Sequence, residues 1–338
     1  MHLTRKMKEK YFQTLKSAET EDWLDLHVVR PFCYYCAVFF AKLDVHPNTI
    51  TVWSMIIGAA SAWFFAQGSW YYSMAESGSV WPGLVCNLVA VFLLMWADIF
   101  DCTDGQLARM TGKKSRMGRI LDGLAGFAWF FPIYFALVYR FYMHHDLEFQ
   151  WLGIDDTEQN ALVATAVVFG MAALSGLWGL QGQQRLADYY IQVHLFFQKG
   201  EKGSELDNSQ RQREIYEQMP ADASWLERSF QKSYIEYTKK QEDVTPEFQR
   251  LMTKLREKYG TADQIPQDVR DEFRRHSLPL MKWNGLLTFN FRSFWLFLFC
   301  LLDVPVMNFV FETVAMGLLA WYVNHRHETF SRKVAQMI

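Results

Sequence analysis

The sequence predicts an all-α polytopic membrane protein: six transmembrane helices preceded by an interfacial amphipathic helix, with a cytoplasmic helical insert between spans four and five. Three observations carry that prediction. Runs of about 20 mostly apolar residues recur, the length that crosses roughly 30 Å of hydrocarbon at about 1.5 Å per residue. Trp and Tyr gather near the ends of those runs, where amphipathic rings sit at headgroup depth. Among the connections, Lys and Arg gather in alternate ones. The whole-chain mean hydropathy is close to zero only because a charged stretch near 197–282 is averaged with segments almost free of charge.

Residues 1–46 are read as a cytoplasmic N-terminal segment and an interfacial helix. The N-terminus MHLTRKMKEKYFQTLK is charged for too long, and lacks the adjacent apolar core, to be a cleavable signal. The stretch 28–43 is amphipathic, short, and bounded by Arg30-Pro31 and His46-Pro47, so it is expected to lie in the interface. Spans are expected at 48–67, 80–109, 117–142 and 161–190, within a region 47–192. Two more, at 286–302 and 304–323, fall within 284–325, and a cytoplasmic tail follows at 326–338. The insert, 193–283, reads as two or three soluble helices, one starting at Thr245-Pro246-Glu247 with Pro in the first turn.

Residues 68–79 and 141–160 contain no Lys or Arg, whereas the N-terminus, the stretch 109–119, the insert and the tail are rich in them. Under the positive-inside rule both termini, the insert and the site described next face the cytoplasm. The expected setting is a bacterial inner membrane. The five cysteines are scattered, mostly in apolar runs, so no disulfide framework is expected; the Cys33-x-x-Cys36 pair is read as ordinary packing.

The second span ends in a costly way. After the apolar run NLVAVFLLMWA it sets Asp98, Asp101 and Asp104 at spacings of three, along one helical face. Like charges so close in a membrane setting are tolerable when a cation sits among them. Oxygen ligands without His or Cys point to Mg2+, Mn2+ or Ca2+ rather than zinc. The third span supplies Asp122, which a short basic connection would bring opposite Asp101 and Asp104. Small residues at Gly105, Ala108, Gly118, Gly123, Ala125 and Gly126 let the backbones approach and leave room for a ligand. The alternative of acids paired with Arg109 and Arg119 at a membrane border is weaker for four carboxylates than for one.

The stretch Asp101-Cys-Thr-Asp104-Gly105-Gln-Leu-Ala108-Arg109, then Gly118 and Asp122, resembles the signature of the CDP-alcohol phosphotransferase family, D-x2-D-G-x2-A-R-x8-G-x3-D-x3-D, at seven fixed positions. Pro47-Asn48-x-x-Thr51 also looks like that family's entry motif. The resemblance implies metal-dependent transfer of a phosphatidyl or phospho-alcohol group from a CDP-linked donor to an alcohol acceptor, with CMP leaving, in membrane lipid synthesis. It implies two Mg2+ or Mn2+ ions held by Asp101, Asp104 and Asp122. Gly105, Ala108, Arg109, Gly118, Asn48 and Thr51 would then form the nucleotide and phosphate pocket, in a homodimer with no nucleic-acid partner. One position departs from the signature: the fourth Asp, assigned there as the base, falls at Gly126. Asp122 and Asp98 are the catalytic carboxylates left to consider. CDP-diacylglycerol with an anionic soluble alcohol such as inositol phosphate is favoured, because Arg185, Arg292 and the basic connection could recognise an anion; His194 and Asp188 could bind a polar acceptor. The alternatives are a CDP-ethanolamine or CDP-choline type transferase to diacylglycerol or ceramide, a non-catalytic CDP-lipid-binding relative, and a cation pathway.

Overall fold

The computed structural model describes residues 11, 17, 19–20, 25–113 and 116–338, and among these every regular element is helical. Most of the N-terminal segment read as cytoplasmic, and Lys114 of the basic connection, lie outside the described residues. The helices are α1 (Arg30–Lys42), α2 (Pro47–Ala66), α3 (Trp70–Ser77), α4 (Trp81–Thr111), α5 (Arg116–Met143), α6 (Asp146–Leu152) and α7 (Glu158–Lys199). They continue as α8 (Ser209–Glu217), α9 (Trp225–Asp243), α10 (Pro246–Tyr259), α11 (Gln267–Gly285), α12 (Phe289–Leu301) and α13 (Val306–Met337).

Local sequence sets the boundaries. Pro47 occupies the first turn of α2, whose entering chain is capped by His46 Nδ1 accepting from the Asn48 N–H at 3.2 Å. Pro82 opens α4, and Gly112 closes it in the left-handed conformation with φ 71°. The long helices α7 and α13 each carry a π-helical stretch, Ser175–Gln183 and Phe311–Ala315.

Among the described residues five helices, α2, α4, Leu121–Met143 of α5, α7 and α13, are long and apolar enough to cross a membrane. The span expected at 286–302 is instead α12, whose 13 residues reach roughly 20 Å, short of the hydrocarbon thickness. The reason is a tight turn. The N–H groups of Leu286, Leu287 and Thr288 bond back to the carbonyls of Trp283, Asn284 and Gly285 at the end of α11, so the apolar run loses its first turn.

Two compact units emerge. The first comprises residues up to Gln181 with Phe289–Ala315. Its core joins Phe65, Leu94, Trp129, Phe130, Ile133, Leu137, Leu296 and Phe309. Gly58 lets α2 close on α5: a Cβ there would stand 2.1 Å from Trp129 Cδ1. Large apolar side chains such as Trp63, Phe92, Phe131 and Leu162 are exposed, as lipid-facing surfaces are.

The second unit comprises Gly182–Thr288 and Met316–Ile338. Of the insert expected at 193–283, residues 193–199 continue α7 and the rest carries four helices, α8 to α11, where two or three were expected; α10 starts at Pro246 as its Thr-Pro-Glu signal predicts. The residues read as a tail are helical through Met337 and pack on α10: Glu328 accepts from the Glu247 N–H at 2.6 Å, and Lys254 Nζ donates to the Ala335 carbonyl at 2.7 Å.

Candidate active site

The acidic stretch lies in the last turns of α4, where α1, α2 and α5 converge within the first unit. Asp104 is buried, and the Thr51 hydroxyl of α2, set over the Pro47 carbonyl at 3.3 Å, hydrogen-bonds its Oδ2. Arg109, just over one turn on, acts electrostatically on the same carboxylate. Gly105 makes that possible: a Cβ would meet the Arg109 guanidinium at 3.3 Å, so its absence lets the side chain fold back along α4.

Asp101 is partly buried and feels the charges of Asp122, Asp104 and Asp98. Asp122, on the second turn of α5, is exposed and also acts on Asp104. Asp101 and Asp104 of α4 therefore lie within electrostatic reach of Asp122 from the next helix. Asp98 differs in its surroundings, having Arg30 of α1 and Asp25 beside it as well as Asp101. Sequence patterning does not mark Arg30 as a neighbour of this stretch; its one signal is the helix-opening Arg-Pro.

The remaining residues frame this cluster. Asn48 is in the first turn of α2, Ala108 and Arg109 are partly exposed at the end of α4, and Gly118 is in the first turn of α5. Gly123, next to Asp122, has open space where a side chain would be. Position 126 is one turn beyond Asp122 and presents no side chain. The connection is braced by Lys113 Nζ, 2.6 Å from Asp44 Oδ1, and that ammonium holds the Asp44 carboxyl below its ordinary range. Asp44 itself sits at φ 54°, a conformation Asp tolerates better than most residues.

Among the described residues, no group of three or more His, Cys, Asp or Glu side chains is spaced to chelate one ion as placed. Two features fit a hard cation all the same. The donors are all oxygen, and Asp101 Oδ1 is buried with no hydrogen-bond partner, an open lone pair within the field of three further carboxylates.

Residues 44–168 match the CDP-alcohol phosphatidyltransferase family model. The match takes in α2, α4 and α5, which carry Thr51, Asp101, Asp104 and Asp122, and leaves the insert outside. The family transfers phosphatidyl groups from CDP-alcohols, and with five membrane-length apolar helices the chain is read as an integral membrane protein. No curated protein matches the chain.

Several residues considered for acceptor recognition have other work. Arg292 is fully buried and pairs with Glu312 at 2.9 Å, while Glu312 also accepts from the Tyr134 and Ser175 hydroxyls. An arginine neutralised inside the bundle does not recognise a soluble anion, so that expectation is corrected. In the second unit, His194 is buried and bonds Ser277 Oγ at 2.8 Å, and Arg185 lies 6.0 Å from the Tyr237 ring centroid, with Asp188 acting electrostatically on the same tyrosine.

Proposed function

We propose that the chain transfers a phosphatidyl or phospho-alcohol group from a CDP-linked donor to an alcohol, releasing CMP. The supporting observation is that Asp101, Asp104 and Asp122 lie within electrostatic reach of one another and that Asp101 Oδ1 is buried without a hydrogen-bond partner. Two Mg2+ or Mn2+ ions held by these carboxylates would neutralise the diphosphate and activate its phosphorus toward attack. Thr51 fixes the rotamer of Asp104 through its hydroxyl. Arg109 offers a planar fork to a phosphate oxygen, and the open space at Gly123 accommodates the donor beside Asp122.

The acceptor oxygen attacks the phosphorus that bears the donor's alcohol, the bond to the bridging oxygen breaks, and CMP departs. Gly126 cannot take the acceptor's proton. Asp122 is the exposed carboxylate nearest that position in the helix and is assigned the task. Asp98 is the second candidate, but it has the Arg30 guanidinium as a neighbour and sits on a different helix from position 126.

With Arg292 withdrawn, CDP-diacylglycerol with an anionic alcohol keeps Arg185 and the basic connection as support. A CDP-ethanolamine or CDP-choline donor with a lipid acceptor is therefore tested beside it. Purified protein is incubated with each CDP donor, Mg2+ or Mn2+, and a panel of acceptors, and CMP and lipid product are measured. Absence of CMP release from every donor, with Gly126→Asp restoring it, would identify a non-catalytic relative.

A further inference from the structure

The end of the first unit that holds the Arg140–Asp303 pair also carries a cavity of about 500 Å³, set between the short helices α3 and α6. Tyr71, Tyr72 and Ala75 of α3 line one side; Asp146 and Phe149 of α6, with Asp156 beyond it, line the other. The volume is that of a small-molecule site, for which roughly 300–1,000 Å³ is usual. Asp101 and Asp104 lie toward the opposite end of α4, so the transfer reaction makes no use of this space.

Both walls are anchored. The Tyr71 N–H donates to Asp303 Oδ2 at 2.7 Å and Trp70 Nε1 to the Leu301 carbonyl at 2.7 Å, which fastens the start of α3. The Tyr72 ring lies 3.9 Å, centroid to centroid, from that of His144 at the end of α5. Across the cavity Phe149 is buried, and its carbonyl accepts from the Ile154 N–H at 3.0 Å. His145 Nε2 stands 3.2 Å from Asp156 Oδ1, which turns the segment after α6 back onto the start of that helix. Walls tied to the unit in this way are set before any ligand arrives.

The chemistry of the lining selects the ligand. Residues 68–79 and 141–160, which build this end, contain six carboxylic acids and no Lys or Arg. Arg140, just before the second stretch, is already paired with Asp303. His145 offsets Asp156, whereas among the described residues Asp146 is exposed and makes no ion pair. Carboxylates give the cavity a negative field, and the rings of tyrosine and phenylalanine attract a weakly hydrated positive charge. A hard metal ion fits less well, because among the described residues no three His, Cys, Asp or Glu side chains are spaced to chelate one. We propose that this cavity binds a small organic ammonium ion, primary or quaternary, carried by a free solute or by a lipid head group. The assignment shares no residue with the transferase reading and stands or falls apart from it.

The test uses the full chain in an uncharged detergent, titrated calorimetrically at constant ionic strength. The probes are choline, ethanolamine, and the uncharged analogue of choline in which a tert-butyl group replaces the trimethylammonium. Expected is saturable binding of both ammonium compounds and none of the neutral alcohol. Asp146→Asn should weaken choline binding about threefold to tenfold. Ala75→Trp, which fills the cavity and leaves its charge untouched, should abolish it, with melting temperatures unchanged in both variants. Undiminished binding in Ala75→Trp, equal binding of the neutral alcohol, or equal displacement by sodium overturns the assignment. So does the absence of binding to folded wild-type protein at choline concentrations on the order of 100 mM. Repeating the titration in nanodiscs of phosphatidylglycerol, with and without phosphatidylethanolamine, separates the two sources. Loss of choline binding in the mixed discs assigns the cavity to a lipid head group, and unchanged binding assigns it to a free solute; both uphold the ammonium site.

Discussion

The two ends of the first unit hold buried acids in opposite circumstances. At one end Asp303 accepts from Arg140 through Oδ1, and through Oδ2 from the Ser69 hydroxyl at 3.0 Å and the Tyr71 N–H at 2.7 Å. Asn87 completes the knot, taking Arg140 Nη1 at 3.0 Å and donating to the Gly68 and Cys300 carbonyls at 2.7 and 3.0 Å. At the other end, roughly 20 Å along α4 from Asn87 at about 1.5 Å per residue, Asp101 feels three more carboxylates and has one oxygen unpartnered. A carboxylate whose lone pairs are filled by protein donors holds helices together. One left open among like charges is shaped for something that arrives from outside.

Substitutions that separate binding from architecture test that contrast most severely. Asp101→Asn or Asp104→Asn should lower CMP release by at least on the order of 10³, because the ions proposed to bind there would supply several kcal/mol of transition-state charge stabilisation. The melting temperature should hold or rise, since charge repulsion is relieved. A parallel fall in thermal stability would mean these acids are architectural after all.

At the other end the outcome should invert. Arg140→Ala strands Asp303 in the bundle and should cost about 3–5 kcal/mol, read as loss of monodisperse protein or a large drop in melting temperature. Gly58→Ala drives a methyl into Trp129 and should cost about 1–3 kcal/mol by the same measurement, because α2 must retreat from α5.

A pH titration sharpens the comparison further. Burial pushes the Glu148 carboxyl, on α6 beside the Arg140–Asp303 knot, up to about 7 from an ordinary value of 4.5. The folded state therefore binds more protons than the unfolded one across that window, and stability contributed by this group falls as pH rises from 4.5 through 7. His144, lowered by its own burial, works the other way, losing stability as pH falls below 6.5. Comparing melting curves of the wild type and Glu148→Gln isolates the first effect: the variant should lack the decline.

The smallest effect is expected from Lys113→Ala. Its ion pair with Asp44 is exposed, so melting temperature should be unchanged within error and any change should be confined to low salt.

Much of this is readable along the chain because periodicity and spacing are local properties. Apolar runs locate α2, α4, α5, α7 and α13, and Asp98, Asp101 and Asp104 stand out as acids no lipid-facing helix would carry. Asp122 can be paired with them because a short connection between antiparallel helices leaves few places for it to go. The shortening at 286–302 is not readable: hydropathy counts apolar residues and is blind to whether Leu286 and Leu287 turn or continue a helix. Arg292 illustrates a second kind of blindness, since nothing near it in the chain names Glu312 as its partner.

The order of residues alone thus settles the helical class, the membrane-length runs and the acidic signature, all of which depend on neighbours within a few turns. Folding decides which charges are quenched and which stay open, and it alone brings Thr51 to Asp104 and Arg292 to Glu312. The physical reason is that a side chain's electrostatic fate is set by the atoms that surround it in space, and in a helical bundle most of those come from other helices.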